Sequence, residues 1–137
     1  MTSGNERRTP VMKIVIVDDE RHVCSLLEQT LEELEEEAGV EILSAPDGEA
    51  GLALIEKERP SLVFLDVMMP GMSGYEVSRA VRERPELVDT SVVLLTAKGQ
   101  ETDREEGLAS GAVEYVTKPF DPDRVLALAR QLLGLEK

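Results

Sequence analysis

At 137 residues, 42% of them hydrophobic, the chain has the size and composition of one globular domain with a substantial core. A formal net charge of −13, no Trp and little aromatic content argue against direct nucleic-acid binding and against anionic membranes. Cys24, the one cysteine, excludes an internal disulfide and suits a reducing cytoplasm, and His22, the one histidine, excludes a multi-histidine metal site.

Residues 1–10 are small, polar and charged and end in Thr9-Pro10, which predicts a disordered leader before a single domain over 11–137. The N-terminus lacks the apolar core of a signal peptide, and no apolar stretch is long enough to span a bilayer. Short apolar runs then alternate with helical stretches. The runs are Ile14–Val17, Val40–Leu43, Leu62–Leu65, Val92–Leu95 and Val113–Val116. Those at 14, 62 and 92 are continuously apolar, as strands buried on both faces should be, and the other two carry polar residues and belong nearer the periphery. After the first run, Val23, Leu27, Leu31 and Leu34 share one helical face, and Gly39 sits where a C-terminal cap belongs. Asp47 caps a second helix that ends at Arg59-Pro60. Ser73-Gly74 opens a third, with Val77, Ala80 and Val81 inward. A fourth, around 101–110, is weak because its apolar content is low and Gly107 costs helix stability. Asp121-Pro122 starts a fifth, with Val125, Leu126, Ala129, Leu132 and Leu133 as its apolar stripe. Strand and helix repeated five times predict an α/β fold, a doubly wound five-stranded parallel sheet with right-handed crossovers and helices on both faces.

In such a sheet ligands bind beyond the carboxyl ends of the strands. Strand one delivers Asp18, Asp19 and Glu20, strand three Asp66, strand four Thr96, and strand five Thr117, Lys118 and Pro119. Adjacent carboxylates resist desolvation and repel each other, so a fold keeps them cheaply when they share a cation. Oxygen ligands without histidine or thiol suit Mg2+, which retains waters that a phosphate displaces. Asp66 can act as a carboxylate nucleophile, Thr96 can donate to a phosphoryl oxygen, and Lys118 adds a compact positive charge. Pro70-Gly71 fits the centre of a type II turn that returns a backbone carbonyl toward the metal. Read singly, each residue has a plainer explanation. Asp18 and Asp19 cap a helix, Asp66 is a turn residue, and Thr96 and Lys118 are ordinary strand-end groups. Met68, Met69 and Met72 pack a loop, His22 and Cys24 have no chemical role, and the acid run Glu32, Glu33, Glu35, Glu36, Glu37 is a solvated face.

Val-Asp-Asp-Glu at 17–20, Leu-Asp-Val-Met-Met-Pro-Gly-Met-Ser-Gly at 65–74, Leu-Thr-Ala-Lys at 95–98 and Tyr-Val-Thr-Lys-Pro-Phe at 115–120 follow their strands in order. Together they resemble the receiver domain of two-component response regulators, over roughly residues 12–134. The resemblance implies a flavodoxin-like strand order of 2-1-3-4-5. It implies that Asp66 accepts a phosphoryl group from a phosphohistidine on a sensor histidine kinase or phosphotransfer protein. It implies Mg2+ bound directly by Asp19, Asp66 and the Met68 carbonyl, with Asp18 holding a metal-bound water. Lys118 would pair with the phosphoryl group, and Lys118-Pro119 would be cis. Thr96 and Tyr115 would form the switch pair, and the face built from helix four, strand five and helix five would change its affinity for a downstream effector protein. The domain would be cytoplasmic and no enzyme beyond its own phosphorylation and slow dephosphorylation.

Two positions tune phosphoryl lifetime in this family, here Met68 and Lys98. An apolar Met68 cannot orient an attacking water, so slow self-dephosphorylation is expected. Glu114 suits the charged dimer face of DNA-binding members, whereas Arg124 and Leu128 depart from it. The expected state is a monomer or a weak phosphorylation-dependent dimer, acting alone or cut from a longer multidomain regulator or hybrid kinase. Two other classes share the sheet. An aspartyl-nucleophile phosphohydrolase of the haloacid-dehalogenase type wants Asp-x-Asp after strand one, where this chain has Asp-Asp-Glu. A flavodoxin-like flavin carrier needs a hydroxyl- and glycine-rich loop that is absent here.

Overall fold

The computed structural model describes residues 11–97 and 104–135. The expected leader at 1–10 and Lys98 lie outside the described residues. The strands are β1 (Lys13–Val17), β2 (Glu41–Ala45), β3 (Leu62–Asp66), β4 (Ser91–Ala97) and β5 (Glu114–Lys118). The helices are α1 (Arg21–Ala38), α2 (Gly48–Glu58), α3 (Gly74–Arg82), α4 (Arg104–Ala109) and α5 (Pro122–Leu133), with a 3-10 turn at Pro85–Leu87. All strand pairs are parallel, in the order β2-β1-β3-β4-β5.

Alternation along each buried strand splits the core into two layers. Ile14, Ile16, Leu62, Phe64, Val93 and Leu95 face α1 and α5. Val15, Val17, Val63, Leu65, Val92 and Leu94 face the opposite layer, which holds Ile55 of α2 and Val77 and Val81 of α3. β3 is buried at every position, whereas β2 and β5 are partly exposed because they form the sheet edges. That is why these two runs carry polar residues.

Local chemistry sets most boundaries. In α1 the buried residues are Val23, Leu27, Leu31 and Leu34, and Gly39 ends the helix in the left-handed region at φ 69°. The Asp47 side chain accepts from the Ala50 amide at 2.8 Å. Ser73 and Glu76 close a reciprocal capping box at the start of α3. Asp121 accepts from the Asp123 amide, with Pro122 at the first helical position of α5. The stripe of α5 is as expected, with Leu126 and Leu132 packed half-buried against the core beside the buried Val125, Ala129 and Leu133. Three expectations shift. β2 begins at Glu41 because Val40 completes the end of α1, its amide reaching the Leu34 carbonyl. Ala80 is half-buried, and Ser78 is the buried residue of α3, its hydroxyl donating to the Ser110 carbonyl. Gly107 does not merely weaken α4: a Cβ there would sit 2.9 Å from Leu94 Cδ1, so glycine lets the helix lie on β4.

The strand order creates one topological switch, because β1 leads outward to β2 and the chain then returns to β3 on its other side. A crevice opens there beyond the carboxyl ends of β1 and β3.

Candidate functional site

Register delivers the site. Val17 pairs with Leu65, which brings Asp18 level with Asp66, the last residue of β3. Asp66 pairs with Leu95, so Thr96 lies one step further out, and Ala97 pairs with Lys118 at the end of β5. The chain leaves β3 by a tight route. Gly74 donates to the Val67 carbonyl at 3.0 Å, and a Cβ at Gly74 would lie only 2.3 Å from the Asp66 carbonyl oxygen. Gly71, at φ 77°, meets the demand of position i+2 of a type II turn.

Asp18, Asp19 and Asp66 each offer a carboxylate oxygen within 4.8 Å of the others. Asp18 and Asp66 are buried, at 1% and 4% exposure, and Asp19 faces outward. Lys118 Nζ stands 3.0 Å from Asp18 Oδ2, 3.2 Å from Glu20 Oε1 and 3.3 Å from Asp66 Oδ1. Its approach to Asp18 Oδ2 is off the line of a hydrogen bond, so that contact is electrostatic. The other oxygen, Asp18 Oδ1, accepts from the Glu20 amide at 2.9 Å. The Thr96 hydroxyl is buried with no hydrogen-bond partner among the described residues.

Charge balance at this rim is poor, since four acids surround one ammonium. Burial pushes the Asp66 carboxyl up to about 7, aided by the Asp18 charge and by the hydrogen bond its protonated form donates to Asp19, and opposed by Lys118. Burial pulls the Lys118 ammonium down, yet its acidic neighbours prevail and raise it above its usual value. The arrangement fits a hard divalent cation. The donors are all oxygens, they converge from two strand ends, and a cation there relieves the repulsion that raises Asp66.

The remaining expected residues lie on the same strand ends and the loops that follow them. Met68 exposes its side chain (62%), whereas Met69 is buried at 8%, so only the latter packs the loop as a core residue. Lys118-Pro119 is cis. Tyr115 is half-buried and shares with Thr96 a gap of about 10 Å3 lined also by Tyr75, Leu94 and Leu108. On its other side lies an open cleft of about 450 Å3 bordered by Glu114, Phe120, Asp121 and Arg124. Glu20 stands on the rim, as its position after β1 predicts, and its side chain reaches Lys118, a contact with no signal in the sequence. The Asp-Asp-Glu run carried only the hint that a third acid shares the crevice.

The family model for the response regulator receiver domain matches residues 14–130. The chain belongs to that family. Receiver domains are signalling modules of two-component systems, not classical enzymes. They bind Mg2+ at an acidic pocket and interact with histidine kinases and effectors. This receiver domain is 45% identical over 121 residues to the "Probable transcriptional regulator ycf27" of Galdieria sulphuraria, across 88% of this chain and 45% of that protein. It is 40% identical to the alkaline phosphatase synthesis transcriptional regulatory protein PhoP of Bacillus subtilis, across 88% of this chain and 48% of that protein. The receiver domain thus spans about half the length of these curated relatives. It also matches the structure of the Vibrio cholerae chemotaxis protein CheY4, with a TM-score of 0.79 and 32% identity over 90% of this chain and 99% of that one. Among the described residues no helix is long and apolar enough to cross a membrane.

Proposed function

We propose that Asp66 is the phosphoryl acceptor of this receiver domain. A carboxylate oxygen of Asp66 attacks the phosphorus of a phosphohistidine on a sensor histidine kinase or phosphotransfer protein. The P–N bond breaks, the imidazole leaves with a proton, and an aspartyl phosphate forms. The observation that carries this reading is the position of Asp66: buried at a central strand end, 3.3 Å from the Lys118 ammonium and within 4.8 Å of two further acids. Asp19, Asp66 and the Met68 carbonyl would hold Mg2+, with Asp18 binding through water. The cation supplies charge neutralisation when bound. Lys118 gathers negative charge on the opposite side and pairs with the transferred group. The unpartnered Thr96 hydroxyl then donates to a phosphoryl oxygen, and Tyr115, which shares a gap with it, follows inward.

That movement alters the face formed by α4, β5 and α5, and with it the affinity for an effector protein. Phosphorylation shifts the equilibrium by its differential stabilisation of the two states. The domain runs from residue 11, contacts no nucleic acid itself, and holds its phosphoryl group for long periods because Met68 offers no hydrogen bond to an attacking water. It is a monomer or a weak phosphorylation-dependent dimer.

Acetyl phosphate with Mg2+ tests the chemistry. The expected result is a stable mass gain of one phosphoryl group on Asp66, lost in Asp66→Asn and on chelation of the metal. Unchanged labelling in the Asn variant overturns the reading, and multiple turnover would mark a hydrolase instead. A pull-down comparing native and beryllofluoride-treated protein then identifies the effector.

A further inference from the structure

We propose that Glu20 is a positioning residue that parks Lys118 in the unphosphorylated protein. The inference rests on Asp66 being the phosphoryl acceptor. Glu20 occupies the N-cap of α1, a place favoured for Ser, Thr, Asp and Asn because their short side chains bond the first helical amides. Here the side chain makes no capping bond. It crosses the crevice to a residue 98 positions away and accepts a hydrogen bond from Lys118 Nζ at 3.2 Å. Its amide meanwhile donates to Asp18 Oδ1, which fixes the start of α1 against the acid pair. Glu20 is half-exposed, whereas Lys118 is largely covered, so the carboxylate draws the ammonium toward the mouth of the pocket.

Three carboxylates therefore share one ammonium before phosphorylation. When a cation binds, Asp18 and Asp66 have a second positive partner, but Glu20 lies outside the triad of acids that could hold it. Glu20 then remains the competitor from which a phosphoryl group must take Lys118. Its removal favours the phosphorylated state because Lys118 is released to the incoming group.

The test is the initial rate of acetyl phosphate labelling at saturating Mg2+ in wild type, Glu20→Gln, Glu20→Asp, Lys118→Met and the Glu20→Gln/Lys118→Met double variant. Glu20→Gln is expected to label about two- to fivefold faster than wild type, the range that a half-exposed ion pair supports, and to lose its phosphoryl group more slowly. Glu20→Asp keeps the charge but is one methylene too short for the contact, and should behave as the Gln variant. In the Lys118→Met background the Gln substitution should give no further gain, because the coupling runs through the ammonium. An unchanged rate in Glu20→Gln overturns the proposal. So does a gain that persists without Lys118, or wild-type behaviour in Glu20→Asp. These outcomes leave the acceptor reading intact, since wild type still labels on Asp66; absence of wild-type labelling removes the acceptor and the parking role together.

Discussion

A buried carboxylate with a raised pKa has a definite signature in stability. Asp66 titrates near 7 in the folded protein against 3.8 as a free group, chiefly because it is buried and faces Asp18. Between those values the folded state binds more protons than the unfolded one, so stability falls as pH rises. The penalty is absent below 3.8 and complete above about 7. The metal-free protein should accordingly melt at a lower temperature at pH 8 than at pH 5.5, and Mg2+ should recover most of the difference. Asp66→Asn should stabilise the metal-free protein at pH 8, by on the order of 1–2 kcal/mol, with the gain shrinking toward pH 5. Thermal melts followed by circular dichroism check both statements. A melting temperature that rises with pH in the absence of metal would contradict them. Cys24 stands apart from this chemistry: burial and the Asp18 charge push its thiol up to about 11, where it stays protonated and unreactive.

Elements were legible where sequence and neighbourhood demand the same thing. The runs at 14, 62 and 92 are apolar at every step because both sheet faces are covered, and the face of α1 reads directly as Val23, Leu27, Leu31 and Leu34. The gathering of Asp18, Asp19, Asp66, Thr96 and Lys118 was legible too, since each stands at or just past the carboxyl end of a strand and parallel strands end on one rim. What stayed hidden depends on side-chain reach between distant elements. The Glu20–Lys118 contact, the buried Ser78 and the turn at Pro85–Leu87 leave no periodic trace. Two side chains of α3, the helix that follows the loop after Asp66, make contacts of this kind. Ser78 donates to the Ser110 carbonyl at 3.0 Å, and Arg82 donates to the carbonyls of Leu87 and Thr90. They tie the helix to the turn before β5 and to the connection into β4. Ser78→Ala leaves a buried carbonyl short of a donor and should cost about 1–2 kcal/mol in urea denaturation. Arg82→Met should cost a similar amount for the same reason. A loss no larger than that of an exposed control such as Arg79→Met would show that the ties carry no net stability.

Across the whole molecule the dominant fact is the charge of −13. Part of it is locally answered. Arg130 of α5 donates to Glu37 at 2.6 Å and also to Glu33, pinning α5 to the end of α1. It supplies there the positive charge that the last turn of α1 lacks. The acid run is the solvated face expected, since Glu32, Glu33, Glu35, Glu36 and Glu37 are all exposed, and from it Glu33 and Glu37 also hold α5 through Arg130. The unanswered remainder acts on stability and on the cation in opposite directions. Self-repulsion destabilises the compact state, and salt screens it over about 10 Å at 0.1 M. The same negative field concentrates divalent cations at the rim, an attraction that salt also screens. Raising NaCl from roughly 20 to 200 mM should therefore raise the melting temperature of the metal-free protein while weakening its affinity for Mg2+ severalfold. Calorimetric titration beside thermal melts separates the two effects. A melting temperature of the metal-free protein that does not rise with salt would mean that self-repulsion has no part in its stability.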